Sequence, residues 1–266
     1  RAGEKYGPGA RYVPSASGVS ALVRGDRFVK HLLSLEGGYL DYYNTYSVGC
    51  ALLTLPYIYG TSVCGSPEAD LLNTKLLLLW GHNPASTHWG GGQQQVLVQL
   101  KQQGVPIIVI DPRRSDTAKL FADQWIPIRP GTDGALADAM AYVIWSEGLQ
   151  DQAFMDRFCL GFDEAHMPEG VPAGESYHSY LFGKKDGVLK TPEWAEAICG
   201  VPAETIRDLA ERFARTKPAC LLPGLGPQRT LNGEQNVRSC AMLACLTGNV
   251  GVPGGGARAS ATPPGH

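Results

Sequence analysis

The chain is expected to fold as α/β, a doubly wound parallel sheet, and three observations point there. Residues 75–80, 105–110 and 219–222 are short apolar runs, rich in Leu, Ile and Val, that read as strands buried on both faces. Helical patterns separate them, and strands alternating with helices build parallel sheets. Each run also ends abruptly in Gly, Pro, Asn, Asp or Arg, and the carboxyl ends of parallel strands are where such sheets open a crevice.

The elements follow in order. Residues 1–20 are rich in Gly, Pro and Ser and read as irregular. Residues 24–36 carry Phe28, Val29, Leu32, Leu33 and Leu35 at helical spacing, ended by Gly37-Gly38. An aromatic stretch at 39–46 precedes Ser47, and 48–53 predicts a helix broken at Pro56. The first sheet strand, 75–80, exits through Gly81-His82-Asn83-Pro84 into a Gln-rich helix at 92–103. Strand 105–110 exits through Asp111-Pro112-Arg113-Arg114, followed by a short helix at 116–121 and a short strand at 125–128. Arg129-Pro130-Gly131-Thr132-Asp133 then leads into a helix at 134–147, with Thr132 or Asp133 as its cap. Helices are predicted at 151–158, 192–199 and 203–215, the second with Thr191 as cap and Pro192 in its first turn. The Gly-rich, polar stretch 160–190 reads as a long loop or insert. Strand 219–222 leaves through 224–229 into a closing helix at 234–246, and 247–256 is a glycine-rich exit. The domain division expected is 1–55 as a segment of a neighbouring α/β domain, 56–246 as a Rossmann-like nucleotide-binding domain, and 247–266 as the exit into a further domain.

The bulk numbers exclude several classes. A hydrophobic share of 44% with 18% charged residues suits a chain with a sizeable core. A net charge of −2 provides no field for nucleic acid or an anionic membrane, so anion recognition must be local. No apolar run reaches the roughly 18 residues that span a bilayer. The seven cysteines include no CxxC pair and read as buried thiols, with Cys240 and Cys245 in the core. His31, His82, His88, His166 and His178 show no metal-ligand spacing. The start at Arg1 without Met and the loop-like end at 261–266 are expected to be cuts from a longer protein.

Four loops are expected to meet at the carboxyl edge of the sheet. They carry Asn83, Asp111, Arg113, Arg114, Arg129, Asp133, Gln228 and Arg229. Acids accept from ribose hydroxyls and purine amino groups, amides offer paired donors and acceptors, and arginine forks onto phosphate. A purine nucleotide with a pyrophosphate would use all of them. Plainer readings stand beside this one: Asp111 as a turn starter, Asp133 as a bare cap, Arg113 and Arg114 as solvated charge. The first exit loop lacks the G-x-G-x-x-G of ordinary dinucleotide sites, which argues against NAD. Ser47, by spacing alone, is an unremarkable serine with no nucleophile elbow around it.

Five segments in register nevertheless resemble a known family. They are 81–84, 110–113, 125–133 with Ala135-Leu136, 226–229, and 246–251 with Gly254-Gly255-Gly256. Together they resemble the dimethyl sulfoxide reductase family of molybdoenzymes, most nearly the catalytic subunit of its anaerobic members and their selenate-reductase-like relatives. The resemblance runs from about Gly37 to Gly256. It implies molybdenum held between two molybdopterin guanine dinucleotides. Gly81, His82, Asn83, Asp111, Arg113 and Asp133 match positions lining one dinucleotide, Gln228 and Arg229 match a loop nearer pterin and metal, and Ser47 matches the serine that ligates molybdenum. Asn44-Thr45 replaces the family's Gly-Asp before that serine, and His82 falls at a variable position. The implied chemistry is oxygen-atom transfer from an S-oxide or N-oxide in anaerobic respiration, the cofactor doing the bond breaking and the protein orienting it. The family also implies a [4Fe-4S] cluster in an N-terminal part, an iron–sulfur electron-transfer subunit, a membrane-anchor subunit and a periplasmic or membrane-associated location. On this view the isolated chain is inactive and binds cofactor weakly or not at all. A nicotinamide dehydrogenase and a non-catalytic nucleotide-binding module are the rivals.

Overall fold

The computed structural model describes residues 2–14, 25–42, 47–62, 64–87 and 92–257. The chain divides into two compact units, residues 1–45 and 46–266. The boundary expected at residue 55 would cut through a helix, Gly49–Tyr59, that belongs to the second unit.

The first unit carries helix α1 (Ala2–Tyr6) and helix α2 (Gly25–Leu35). A parallel bridge joins Tyr12 to Leu40, and Arg11 pairs with Glu36 at 2.9 Å.

The second unit begins with α3 (Gly49–Tyr59), which runs through Pro56 instead of breaking there. Its Ala51 and Leu55 pack against Val237, and that burial outweighs the one backbone hydrogen bond a proline removes. The sheet then alternates with helices: β1 (Leu76–Trp80), α4 (Pro84–Thr87), α5 (Gln93–Gln102), β2 (Ile107–Ile110), α6 (Asp116–Phe121) and β3 (Gln124–Ile126). There follow α7 (Asp133–Ser146), α8 (Gln152–Phe158), α9 (Tyr177–Leu181), α10 (Pro192–Cys199) and α11 (Ala203–Arg215). The unit closes with β4 (Ala219–Pro223), α12 (Leu225–Gln228), α13 (Gly233–Leu246) and β5 (Gly256–Ala257).

The five strands are all parallel, in the order β3-β2-β1-β4-β5. This is the α/β, doubly wound architecture expected from the sequence. Successive residues of a strand face opposite sides of the sheet. Leu76, Leu78, Trp80, Ile108 and Ile110 accordingly meet α7, α10, α11 and α13 on one face. Leu77, Leu79, Ile107 and Val109 meet Val96, Leu97, Leu100 and Ala118 on the other. A strand packed on both faces has no polar side, which is why these runs are uninterrupted apolar residues.

Some details differ from expectation. β5 is only two residues long, carries Gly and Ala, and has no pattern to detect. The stretch 160–190 is an ordered insert. Glu164 accepts from Gly174 N at 2.8 Å, from Ser176 Oγ at 2.5 Å and from Ser179 Oγ at 2.6 Å. These bonds, the Gly174 N–H first, hold its carboxyl at a pKa of about 2. The Tyr177 and Tyr180 hydroxyls both donate to the buried Asp138 on α7. All seven cysteines are free thiols, but Cys50, Cys64 and Cys159 are half-buried, whereas Cys199, Cys220, Cys240 and Cys245 are buried as expected. Among the described residues no helix is long and apolar enough to cross a membrane.

Candidate functional site

Strand register puts the exits at one level. Trp80 lies beside both Ile110 and Pro223, and Ile110 beside Ile126. The ladder continues one residue further, with Gly81 N donating to Ile110 O, Asp111 N to Ile126 O and Gly224 N to Trp80 O. Residues 81, 111, 127 and 224 therefore start the four loops of one carboxyl edge. The strand order reverses between β1 and β4, the kind of position where open parallel sheets bind ligands.

The loops after β1 and β4 lie backbone against backbone. Gly81 has φ +56, and a Cβ there would sit 2.5 Å from Pro227 Cδ. A Cβ on Gly224 would come within 2.1 Å of the Gly81 carbonyl oxygen. Gly81 is thus required by contact between two protein loops, which is a different reason from the pyrophosphate approach in dinucleotide fingerprints.

Asn83 and His82 face inward. Asn83 Oδ1 accepts from Thr117 N at 3.1 Å and from Thr117 Oγ1 at 2.8 Å, tying the loop to α6. His82 is buried, its Nε2 lies 2.9 Å from Gln93 Oε1, and burial pulls its pKa below the usual histidine value. Burial disfavours the charged imidazole, and the bond to Gln93 makes it an anchor between loop and α5. His88 lies outside the described residues.

The acids come together. Asp111 Oδ1 accepts from Arg113 N at 3.0 Å, an Asx turn that aims the following residues, while Arg113 and Arg114 are exposed. Asp133 Oδ1 accepts from Trp80 Nε1 at 2.8 Å. Burial pushes the Asp133 carboxyl up from its ordinary value, and the charge of Asp111 adds to the rise. Both carboxylates are buried at this edge, and each could accept from an N–H or O–H donor.

Two expected roles fall elsewhere. Thr132 does not cap α7 with its side chain; its hydroxyl donates to Arg129 O at 2.7 Å. The first-turn N–H of Gly134 is taken instead by Asn236 Oδ1 at 3.0 Å. Arg129 turns away from the edge and donates to Ala197 O and Ile198 O, the last carbonyls of α10.

Ser47 arrives at the same edge. The Gln228 side-chain amide donates to Ser47 O at 2.5 Å, and Arg229 Nε reaches the same oxygen at 3.4 Å. Gln228 Oε1 accepts from Ala51 N at 3.0 Å. The β4 exit loop thereby holds the segment that opens α3. Tyr46, and Asn44-Thr45 before it, lie outside the described residues.

Asn236, Trp80 and Thr117 were not anticipated. Asn236 Nδ2 donates to Pro227 O at 2.7 Å while its Oδ1 serves Gly134, so one side chain ties the α7 start to the β4 loop. It lies in the polar first half of α13, between Gln235 and Arg238, and nothing in its neighbours sets it apart. Away from the edge, Asp156, Asp163 and His166 come within 4.8 Å of one another, a grouping the linear spacing of the histidines did not suggest. His166 Nδ1 lies 2.9 Å from Asp163 Oδ1, an ordinary ion-pair geometry.

A parallel sheet whose carboxyl edge gathers buried acids, exposed arginines and a glycine-packed switch point defines an α/β domain of the kind that binds ligands at its strand exits. Comparison with known proteins narrows the class. A family model described as molybdopterin oxidoreductase matches residues 2–261, and the chain belongs to that family. It is 47% identical over 234 residues to the dimethyl sulfoxide reductase DmsA of Escherichia coli K12, covering 87% of this chain and 29% of that protein. It is 34% identical over 238 residues to the trimethylamine-N-oxide reductase of Haemophilus influenzae, covering 86% of this chain and 27% of that protein. The acetylene hydratase of Pelobacter acetylenicus superposes with a TM-score of 0.65 at 25% identity, over 92% of this chain and 30% of that one. The chain spans about three tenths of the length of these relatives. Family membership brings a molybdenum–pterin cofactor.

Proposed function

We propose that this chain is the nucleotide-gripping part of a molybdenum oxidoreductase that removes oxygen from an S-oxide or N-oxide, with the cofactor in its bis-guanine dinucleotide form. One observation carries the reading: the Gln228–Ser47 bond joins the candidate metal-ligating serine to the edge that carries Asp111 and Asp133. Handle and reacting centre then belong to one edge of one sheet. The relatives named for dimethyl sulfoxide and trimethylamine-N-oxide support the substrate class.

When bound, the cofactor supplies a two-electron redox centre at which oxygen is exchanged. Asp111 and Asp133 would accept from purine and ribose donors, and Arg113 with Arg114 would neutralise pyrophosphate charge. Ser47 would offer an alkoxide, a hard oxygen ligand suited to high-valent metal. Arg229, whose Nε already touches the Ser47 carbonyl, would place positive charge beside the approaching oxide. His82 and Asn83 would act one step back, holding the β1 exit against α5 and α6.

In the whole protein we infer an N-terminal [4Fe-4S] cluster, an iron–sulfur electron-transfer subunit, a membrane-anchor subunit, a role in anaerobic respiration and a periplasmic or membrane-associated location, from the resemblance set out above. The nicotinamide alternative is disfavoured, because Gly81 is packed against Pro227 and no glycine fingerprint follows it. The test is Ser47→Ala in the full-length enzyme. Loss of oxide reduction with an unchanged fold and unchanged molybdenum content supports the reading, and full retention of activity refutes it.

A further inference from the structure

A metal ligand is only as well placed as the backbone that carries it, and for Ser47 that backbone is held by one side chain. α3 begins at Gly49 with Val48 as N-cap, so the N–H of residue 51 is one of the first-turn donors that have no helical partner. The Gln228 amide supplies that partner and ties it to residue 47: Ala51 N donates to Gln228 Oε1 at 3.0 Å, and Gln228 Nε2 donates to Ser47 O. The first helical bond of α3 is one residue later, from Leu52 N to Val48 O at 2.9 Å. A carboxamide is the one side-chain group that can both accept and donate in this way, as a peptide unit does. Gln228 thereby bridges the carbonyl of the residue before the N-cap to the first turn of α3.

Gln228 is itself immobilised. It is 3% exposed. The preceding carbonyl, Pro227 O, accepts from Asn236 Nδ2 at 2.7 Å and from Thr230 Oγ1 at 3.1 Å. A Cβ on Gly233 would come within 2.0 Å of the Gln228 carbonyl oxygen, so α13 starts directly against it. Pro227 meanwhile packs on Gly81 at the exit of β1. The chain of contacts runs from the sheet edge through Pro227 to Gln228, whose buried side chain, bonded at both its oxygen and its nitrogen, makes the last link to Ser47.

We propose that Gln228 is a positioning residue that sets the distance and direction of Ser47 from the sheet edge, and acts on the cofactor metal through Ser47 instead of lining the dinucleotide. This rests on the reading of Ser47 as metal ligand. It differs from the role that the resemblance implied for Gln228, a cofactor contact, because the buried amide already bonds residue 51 through its oxygen and residue 47 through its nitrogen.

The experiment uses the full-length enzyme with Gln228→Ala, Gln228→Glu and, in parallel, Ser47→Ala. Two readouts are taken: the paramagnetic resonance spectrum of the half-reduced molybdenum, and hydrogen–deuterium exchange of the peptide spanning 47–55 in cofactor-free protein. Gln228→Glu keeps shape and the acceptor for Ala51 but loses the donor to Ser47, so it guards against a simple folding failure of the alanine variant. Expected are faster exchange at 47–52, a shifted metal spectrum at unchanged metal content, and turnover lower by about 10–100-fold, the usual cost of a lost outer partner. The glutamate variant, which sets a carboxylate oxygen against the Ser47 carbonyl, should disturb 47–52 at least as much as alanine. An altered spectrum in Ser47→Ala but a wild-type spectrum and exchange in both Gln228 variants overturns the positioning role alone. A spectrum unaffected by Ser47→Ala overturns the ligand reading, and exchange then still decides whether Gln228 holds the segment. Reduced metal content with a normal spectrum per bound metal also counts against positioning.

Discussion

Gly81→Ala is the sharpest probe of the switch point, because two separable costs meet there. The backbone cost comes from φ +56, the left-handed region, which charges a residue with a Cβ about 1–2 kcal/mol. The steric cost comes from the new methyl lying 2.5 Å from Pro227 Cδ and 3.0 Å from its Cγ. The ring is held by its neighbours, and overpacking of that kind costs about 1–3 kcal/mol. The sum is about 2–5 kcal/mol. Gly104→Ala separates the terms, since Gly104 has φ +73 with nothing within 4 Å of a built Cβ. It should lose only the backbone part, about 1–2 kcal/mol. Gly224→Ala carries the complementary case: its φ of −76 suits any residue, but its Cβ would meet the Gly81 carbonyl at 2.1 Å, and a backbone atom cannot swing aside. Thermal unfolding of the chain, followed by tryptophan fluorescence, reads the difference at about 2–4 °C per kcal/mol for a domain of this size. Gly81→Ala and Gly224→Ala should both fall clearly below Gly104→Ala. Equal midpoints for all three would refute the backbone contact between the β1 and β4 exits.

Three further outcomes follow from the same edge and its supports. Trp80→Phe removes the N–H that Asp133 accepts and leaves a void behind a fully buried ring, so urea unfolding should show a loss of about 2–4 kcal/mol; adding Asp133→Asn should recover part of it by removing the unpaired charge, and no recovery would contradict the pairing. Asn236→Ala should cost about 1–3 kcal/mol and loosen Gly134 and Pro227 together, read as faster amide exchange at 134 and across 225–230; an effect confined to one of them would show that the side chain does not bridge. Glu164 has a folded pKa near 2, below its ordinary 4.5, so its stabilisation of the insert is complete above the ordinary value and is lost as pH falls towards 2; limited proteolysis within 161–182 should rise over that window in wild type and rise less steeply in Glu164→Gln, where the neighbouring Asp163 still titrates.

Local sequence carried the sheet well where packing is simplest. β1 and β2 are buried on both faces, so their residues had to be apolar throughout, and the runs stood out. α10 was legible from Thr191 and Pro192, because its N-cap is local: Thr191 Oγ1 accepts from Trp194 N at 3.2 Å. The α7 cap was misassigned because its actual partner, Asn236, lies 102 residues away. Order in 160–190 was hidden for the same reason, since Glu164 and Asp138 gather partners from separate turns. At the site, the convergence of 81–84, 111–114 and 224–229 was readable from where strands end. The direction of each side chain was not. Arg129 turned to a helix C-terminus and Gln228 to a segment 177 to 181 residues before it, and neither choice is written in its neighbours. Ser47 became a candidate only through the resemblance, since its spacing alone carries no signal.

The central claim is that the carboxyl edge grips the guanine end of the cofactor while Ser47 meets the metal. Anomalous diffraction at the molybdenum absorption edge, on crystals of the full-length protein, tests it most directly. A metal peak at bonding distance from Ser47 Oγ, with guanine density between Asp111 and Asp133, is the expected result. A metal peak remote from Ser47, or an edge at Asp111 and Asp133 without nucleotide in a fully loaded enzyme, would contradict it.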